Sequence, residues 1–332
     1  MTPILMASWC AGALGLSWIA TALVRRWAAR AVLDIPNARS LHVIPTPRGG
    51  GLAIALVVLG IEAWLLWAGT LQIPRGWAGW CACALLAGLG LRDDLHPLPA
   101  RYRFLAQLLI CGGWLWLLLE PANLLAGGRW ALQTLGMVWL VNLYNFMDGS
   151  DGLAGTQATL TGLVGGGLAL LMGAEGIAVL AFLTAFASLG FLFWNWHPAR
   201  IFLGDVGSYF LGGQFGILAT STLADGQSSF FWAILLGPFI VDATLTLIRR
   251  VLRGERWYTA HRSHAYQRLV QAGRGHAWVA CAFAGFGLIW SLPLAAMVLY
   301  QPGLGWLCLM LAWGMSAGLW WWIIRGMEPV SG

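Results

Sequence analysis

Carboxylates are the first residues in this chain that could do chemistry. Asp93-Asp94, Asp148, Asp151 and Asp205 stand in three short polar stretches, RDD, NLYNFMDGSDGLAG and FLGDVGS, and Asp242 is isolated within an apolar run. An unpaired Asp at the centre of a membrane span costs about 2.5–3.5 kcal/mol, so acids near hydrocarbon persist when paired, hydrated or bound to metal. Oxygen ligands gathered without cysteine and with few histidines favour a hard cation such as Mg²⁺. Each stretch has a plainer reading when taken alone. Asp93-Asp94 can end one helix and cap the next segment, and an Asp beside glycine commonly makes an Asx-turn. Their repetition in a chain of only 13 acids shifts the balance toward function.

The second signal is basic. His261, Arg262 and His264 lie in HRSHAYQR, within residues 249–276, which hold seven arginines. A helix there would put the two histidines, three residues apart, on one face. No third zinc ligand is nearby, so anion binding fits better than metal; contact with anionic lipid headgroups is the plain alternative. Near the N-terminus, RSLHVIPTPRGGG offers stiff prolines, Arg48 and three glycines, the ingredients of a phosphate cradle or of a simple helix entry. The chain has no lysine at all, so no GxxxxGK[ST] phosphate loop is possible.

The elements that carry these residues follow from composition. Of 332 residues, 59% are apolar and 10% charged, where a soluble chain carries roughly 25% charged. Soluble globular, disordered and coiled-coil classes are excluded. The chain is all-α and a polytopic integral membrane protein. Apolar runs predict about eleven spans (10–11), near 4–24, 50–69, 76–91, 104–119, 130–144, 158–172, 177–195, 209–224, 229–248, 277–300 and 304–324. With the N-terminus outside, all of the 19 arginines except Arg75 and Arg129 fall on the cytoplasmic side, as the positive-inside rule expects. Every acidic or histidine-bearing motif then shares that face. The first run is expected to stay as an anchor, because its charges, Arg25, Arg26 and Arg30, follow it. The six cysteines lie in apolar runs without CxxC spacing, so neither a disulfide framework nor a zinc site is expected. Arginines confined to short loops give no reason to expect nucleic acid. Without a repeat or long linker, residues 1–332 read as a single domain.

The ordered set SLHVIPTPRGGG, RDD, NLYNFMDGSDGLAG, FLGDVGS and HRSHAYQRL resembles the polyprenyl-phosphate N-acetylhexosamine-1-phosphate transferase family, over about residues 35–270. The histidine segment resembles the branch that starts O-antigen, since the related phospho-MurNAc-pentapeptide translocase carries three consecutive histidines. The resemblance implies transfer of an N-acetylated sugar 1-phosphate from a UDP-sugar to polyprenyl (undecaprenyl) phosphate, at the cytoplasmic face of a bacterial inner membrane. UMP is released and a lipid-linked cell-envelope glycan is begun. It further implies Mg²⁺, with Mn²⁺ as a substitute, bound by Asn145 and Asp205. Asp93 and Asp94 would activate the lipid phosphate, with His264 as a third catalytic residue. Arg48, Asp148, Asp151, Phe202, His261 and Arg262 would contact substrate, Asp151 at the uracil edge and Phe202 stacked on the base. A homodimer is compatible with this reading. The competing class is a polytopic transporter or channel for a small anionic solute, which needs charges near the bilayer midplane; only Glu62 and Asp242 qualify.

Overall fold

The computed structural model describes residues 2–36, 44–255 and 261–326. Residues 39–43 of the early motif and Arg256 of the basic segment lie outside the described residues. The chain is helical throughout its apolar runs. The long helices of the first half are α1 (Pro3–Ala31), α2 (Gly51–Trp67), α3 (Gly76–Leu95), α4 (Ala100–Leu119), α5 (Leu124–Phe146), α6 (Leu153–Leu171) and α7 (Glu175–Asn195). They are followed by α8 (Gly204–Ala224), the short α9 (Phe230–Leu235), α10 (Gly237–Leu252), α11 (Ala265–Gln271), α12 (His276–Phe286), α13 (Leu292–Tyr300) and α14 (Gly305–Gly326). One two-stranded antiparallel ribbon pairs β1 (Leu33–Asp34) with β2 (Thr46–Pro47).

Among the described residues, five segments are long and apolar enough to cross a membrane: Pro3–Ala31, Ala100–Leu119, Glu175–Asn195, His276–Tyr300 and Pro302–Gly326. Gly51–Trp67 is a shorter apolar helix. The protein is therefore a helical, polytopic membrane protein. The other runs are helical too, but two expected spans are not uniform. The run near 229–248 divides into α9 and α10 at Leu236, just before Pro238, whose ring can donate no N–H to the preceding turn. The run 277–300 opens into a π-helical turn at Gly287–Ser291, immediately upstream of Pro293, the widened geometry that accommodates a missing donor.

The centre of the bundle is α8, nearly all of whose residues are buried. Helices α3 and α5 flank it most extensively, with α2 and α7 also against it. Small residues make this possible. A Cβ at Gly51 would stand 2.1 Å from the Gly207 Cα, so α2 and α8 meet backbone to backbone. Close approach at small residues is how helices gain packing energy where lipid removes the hydrophobic drive. On the other side, α1 docks on α7, its Ser17 hydroxyl donating to the Ala187 carbonyl at 2.6 Å.

Candidate active site

The sequence reading put the acids in loops, whereas the structure carries most of them on helix ends. Asp93 and Asp94 sit in the last turn of α3, Asn145 in the last turn of α5 and Asp205 in the first turn of α8. These helices outrun their apolar segments by a turn, so their polar ends stand beyond the hydrocarbon run. Helix ends fix a side chain's direction better than loops do, and three of them converge here.

Asp94 explains the convergence. Its Oδ1 accepts from the Asp205 N–H and its Oδ2 from the Val206 N–H, both at 3.0 Å. Those are two of the unpaired donors at the start of α8, and a carboxylate also suits the positive end of the helix dipole. Gly204 permits the approach: its φ is +77°, and a Cβ there would lie 2.7 Å from Asp94 Oδ2. Arg48 closes the arrangement, with Nε 3.0 Å from Asp94 Oδ1 and Nη2 donating to the Asp94 carbonyl at 3.2 Å. A strap of backbone bonds brings Arg48 there. Phe202 N–H donates to the Pro47 carbonyl, Gly50 N–H to Phe202 and Gly51 N–H to Leu203, each at 2.8 Å. The expected phosphate cradle is therefore partly consumed, because the N–H groups of Gly50 and Gly51 are used within the chain. The Arg48 side chain remains partly exposed.

Asp93 is held separately. Its Oδ1 accepts from Leu98 N–H at 2.7 Å, and its Oδ2 accepts from Arg103 at 2.7 Å and from the Tyr209 hydroxyl at 3.2 Å. Asp205 Oδ1 accepts from Asn145 Nδ2 at 2.5 Å, and the same amide reaches the Ser208 hydroxyl at 3.1 Å. Arg103 and Tyr209 carried no sequence signal, since an Arg in a polar turn and a hydroxyl in an apolar helix are commonplace; Ser208 closes the FLGDVGS motif but was given no role of its own.

Four carboxylates thus crowd against two guanidinium groups, and their ionisation reflects it. Burial pushes Asp205 up to about 7, helped by the Asp94 charge and by a hydrogen bond shared with Asp93. Burial also raises Asp148 well above the carboxylate range, with the charges of Asp205 and Asp94 adding to it. Asp94 is raised by burial against the opposing pull of its two N–H donors and Arg48. Burial works to raise Asp93 too, but the Leu98 N–H and Arg103 outweigh it and hold the group below its ordinary value. Surplus negative charge on oxygen donors alone is the chemistry that a hard dication relieves, so these residues fit Mg²⁺.

Asp151 stands apart from this cluster although it shares the turn after α5 with Asp148. Its Oδ2 lies 2.7 Å from His197 Nδ1 and accepts from Ala199 N–H at 3.1 Å. Gly152 N–H donates to Asn195 Oδ1 at 3.0 Å, and Asn195 Nδ2 donates to the Ile201 carbonyl at 2.9 Å. That amide ties the Asp151 turn to the 196–203 loop, where Phe202 is half-buried.

The histidine segment forms a third group. His261 and His264 are adjacent, ring centres 4.9 Å apart, although the helix begins only at Ala265. A turn, with the Ser263 hydroxyl 2.8 Å from His261 Nδ1, brings them together instead of a helix face. His264 is buried between Phe146 and Tyr266, and Arg262 is exposed. Asp242 anchors the segment from within the bundle: Oδ1 accepts from Ala265 N–H at 2.9 Å and Oδ2 from Tyr266 N–H at 3.2 Å. The Tyr266 hydroxyl in turn donates to the Phe146 carbonyl at 3.0 Å, locking the histidines to the turn that carries Asp148. Asp242 is thus engaged in holding this loop.

A membrane helix bundle whose polar helix ends gather acids and arginines has the charge layout to bind a dication and anionic groups. Residues 77–223 match glycosyl transferase family 4. The chain is 32% identical to the probable undecaprenyl-phosphate N-acetylglucosaminyl 1-phosphate transferase of Bacillus subtilis, covering 77% of this chain and 75% of that protein. It is 30% identical to the decaprenyl-phosphate N-acetylglucosaminephosphotransferase of Mycobacterium tuberculosis, covering 80% and 76%. It is 36% identical to the phospho-N-acetylmuramoyl-pentapeptide-transferase of Symbiobacterium thermophilum over 56% of this chain and 52% of that one. The chain belongs to glycosyl transferase family 4, among the polyprenyl-phosphate sugar-phosphate transferases that its motifs resemble.

Proposed function

We propose that this enzyme transfers an N-acetylhexosamine 1-phosphate from a UDP-sugar to polyprenyl phosphate at the cytoplasmic face of a bacterial inner membrane. The carrying observation is the cluster of Asp93, Asp94, Asp148 and Asp205 with Arg48 and Arg103 at the ends of α3, α4, α5 and α8. Eleven spans with the N-terminus outside put that end in the cytoplasm. The acceptor's tail gains roughly 0.8 kcal/mol per buried CH₂ and stays in the bilayer, so its phosphate meets the protein at headgroup depth. The nucleotide sugar comes from the water side.

In the reaction, an oxygen of the lipid phosphate attacks the β-phosphorus of the donor, the bond from that phosphorus to the bridging oxygen breaks, and UMP leaves with that oxygen. Asp205 and Asn145 would hold Mg²⁺, with Asp148 beside them, and the ion would supply positive charge to the diphosphate. Asp94 acts as an anchor: its two N–H bonds fix the first turn of α8, so Asp205 faces Asn145. Asp93, held ionised by Arg103, is the general base that accepts the lipid phosphate's proton as the attack develops. Arg48 and Arg262 offset charge on the incoming diphosphate, with His261 offered as a hydrogen-bond partner and the buried His264 packed behind it. Phe202 and Asp151 take the nucleobase.

The direct test is UMP release by the purified protein with undecaprenyl phosphate, Mg²⁺ and a panel of UDP-N-acetyl sugars. UDP-N-acetylglucosamine heads the panel because two relatives carry that sugar in their names. Release that depends on the acceptor and stops with EDTA supports the reading. Absence of UMP with every donor would sink it.

A further inference from the structure

His276 begins α12 at the far end of the basic segment, and the function just described gives it no role. Its Nδ1 receives the Asp151 backbone N–H at 3.2 Å and lies 2.9 Å from the Ser150 hydroxyl. An amide N–H can only donate, so His276 Nδ1 is an acceptor and the ring is neutral with its proton on Nε2. The His276 ring lies parallel to His197, with centres 5.0 Å apart and planes inclined by 13°. His197 completes the circle by holding Asp151 Oδ2. Among the described residues both hydrogen bonds to the Asp151 carboxylate end on Oδ2, so Oδ1 is left for a ligand. Three segments meet here: the turn after α5, the 196–203 loop that also carries Phe202, and the start of α12.

These same three side chains bring ligand-type atoms within 4.8 Å of one another. A metal fits poorly all the same. The His276 Nδ1 lone pair already serves a backbone donor, and its Nε2 carries the proton.

We propose that His276 and His197 are positioning residues for nucleotide recognition: His276 holds the Ser150–Asp151 backbone, His197 holds Asp151 Oδ2, and together they aim Oδ1 at the base. This rests on the assignment of Asp151 to the nucleobase. It also makes the end of the basic segment a physical part of the nucleotide pocket.

The experiment uses the full-length, Mg²⁺-replete enzyme, varying UDP-N-acetylglucosamine, or the best donor of the panel, at saturating undecaprenyl phosphate and then the reverse. His276→Ala should raise the donor KM roughly five- to tenfold, the size of one lost neutral hydrogen bond, with kcat and the acceptor KM within twofold. His276→Asn, whose amide oxygen can take the place of Nδ1, should restore the donor KM. His197→Ala should show the same split and tests the other hold independently should His276→Ala not fold. The double variant Asp151→Ala/His276→Ala should be no worse than Asp151→Ala. An unchanged donor KM in His276→Ala, equal damage in His276→Asn, or additive effects in the double variant would overturn the inference while Asp151→Ala still weakens donor binding. An unchanged donor KM in Asp151→Ala, which leaves no acceptor for the base, would take down the base-reading assignment as well. One equivalent of zinc on the wild type, lost in both histidine variants, would replace positioning by metal binding.

Discussion

Asp205→Asn should stabilise the metal-free protein at high pH and not at low pH. The carboxyl is pushed from 3.8 up to about 7 by burial and by neighbouring acids. A raised pKa means that the ionised form is disfavoured in the folded state. Its contribution to stability is whole below pH 4 and is lost as pH climbs to about 7 and above. At about 1.4 kcal/mol per unit, the shift corresponds to roughly 4 kcal/mol as an upper bound. The neighbours share it, because Asp93, Asp94 and Asp148 relax when one charge leaves. The assay is thermal unfolding of the EDTA-treated, detergent-solubilised protein, followed by tryptophan fluorescence between pH 5 and pH 8. Wild type should lose several degrees across that range, and Asp205→Asn should lose less, so the variant is the more stable of the two at pH 8. Saturating Mg²⁺ should then reverse the ranking, since a ligand at 100 times its Kd adds about 2.7 kcal/mol to the protein that binds it. If Asp205→Asn were less stable than wild type at pH 8 without metal, the cluster would not be charge-strained. The argument for a dication would go with it.

Asp93→Asn should retain UDP-sugar binding while turnover falls roughly 10²–10⁴-fold, the scale of general-base catalysis, and added Mg²⁺ should not restore it; single-turnover kinetics with a binding measurement checks this. Asp94→Asn should lower unfolding stability by about 1–3 kcal/mol, because one of the two N–H donors of α8 loses its acceptor. Phe202→Ala should weaken UMP or UDP-sugar binding by roughly 1–3 kcal/mol, read by calorimetry, with Mg²⁺ affinity unchanged. Gly204→Ala should inactivate the enzyme, because its Cβ would fall 2.7 Å from Asp94 Oδ2 at a φ of +77°; a UMP-release rate near wild type would refute the tight fit. In a background without native cysteines, a cysteine at Arg262 should resist impermeant maleimide in intact cells while one at Asp225 reacts, and the opposite pattern would invert the topology.

Much of the fold was legible because hydrocarbon imposes a single long-range rule on composition. Runs such as 177–195 and 304–324 became α7 and α14 with ends within a few residues. The breaks were harder. Pro238 and Pro293 were visible, but only packing determines that one splits a helix and the other is met by a π-turn. At the site, the motifs picked out the acids and the arginine count placed them on one face, yet the family resemblance gave Asp93 and Asp94 the same role. The structure separates them by partners: the Asp205 and Val206 N–H groups and Arg48 for Asp94, but Leu98, Arg103 and Tyr209 for Asp93. Local sequence contains no trace of such pairings. His197 and His276 went unread for the same reason, as single histidines whose meaning comes from stacking on each other and from bonds to the distant Ser150–Asp151 turn.

The strap that joins Arg48–Gly51 to Phe202–Leu203 has a consequence for how the protein is made. Its two sides are separated by six helices, and α1, although it also packs on α2, makes its most extensive contact with α7. During synthesis the first helices enter the bilayer long before either partner exists. Ser17 then has no Ala187 carbonyl, and Asp94 has neither the amides of α8 nor a strapped Arg48. The amino-terminal half must therefore wait with Ser17 lacking its native acceptor and with Asp94 served by water at the membrane face. Chains ending before Phe202 would lack both the strap and the α8 amides that hold Asp94, so the site is completed only when α8 arrives.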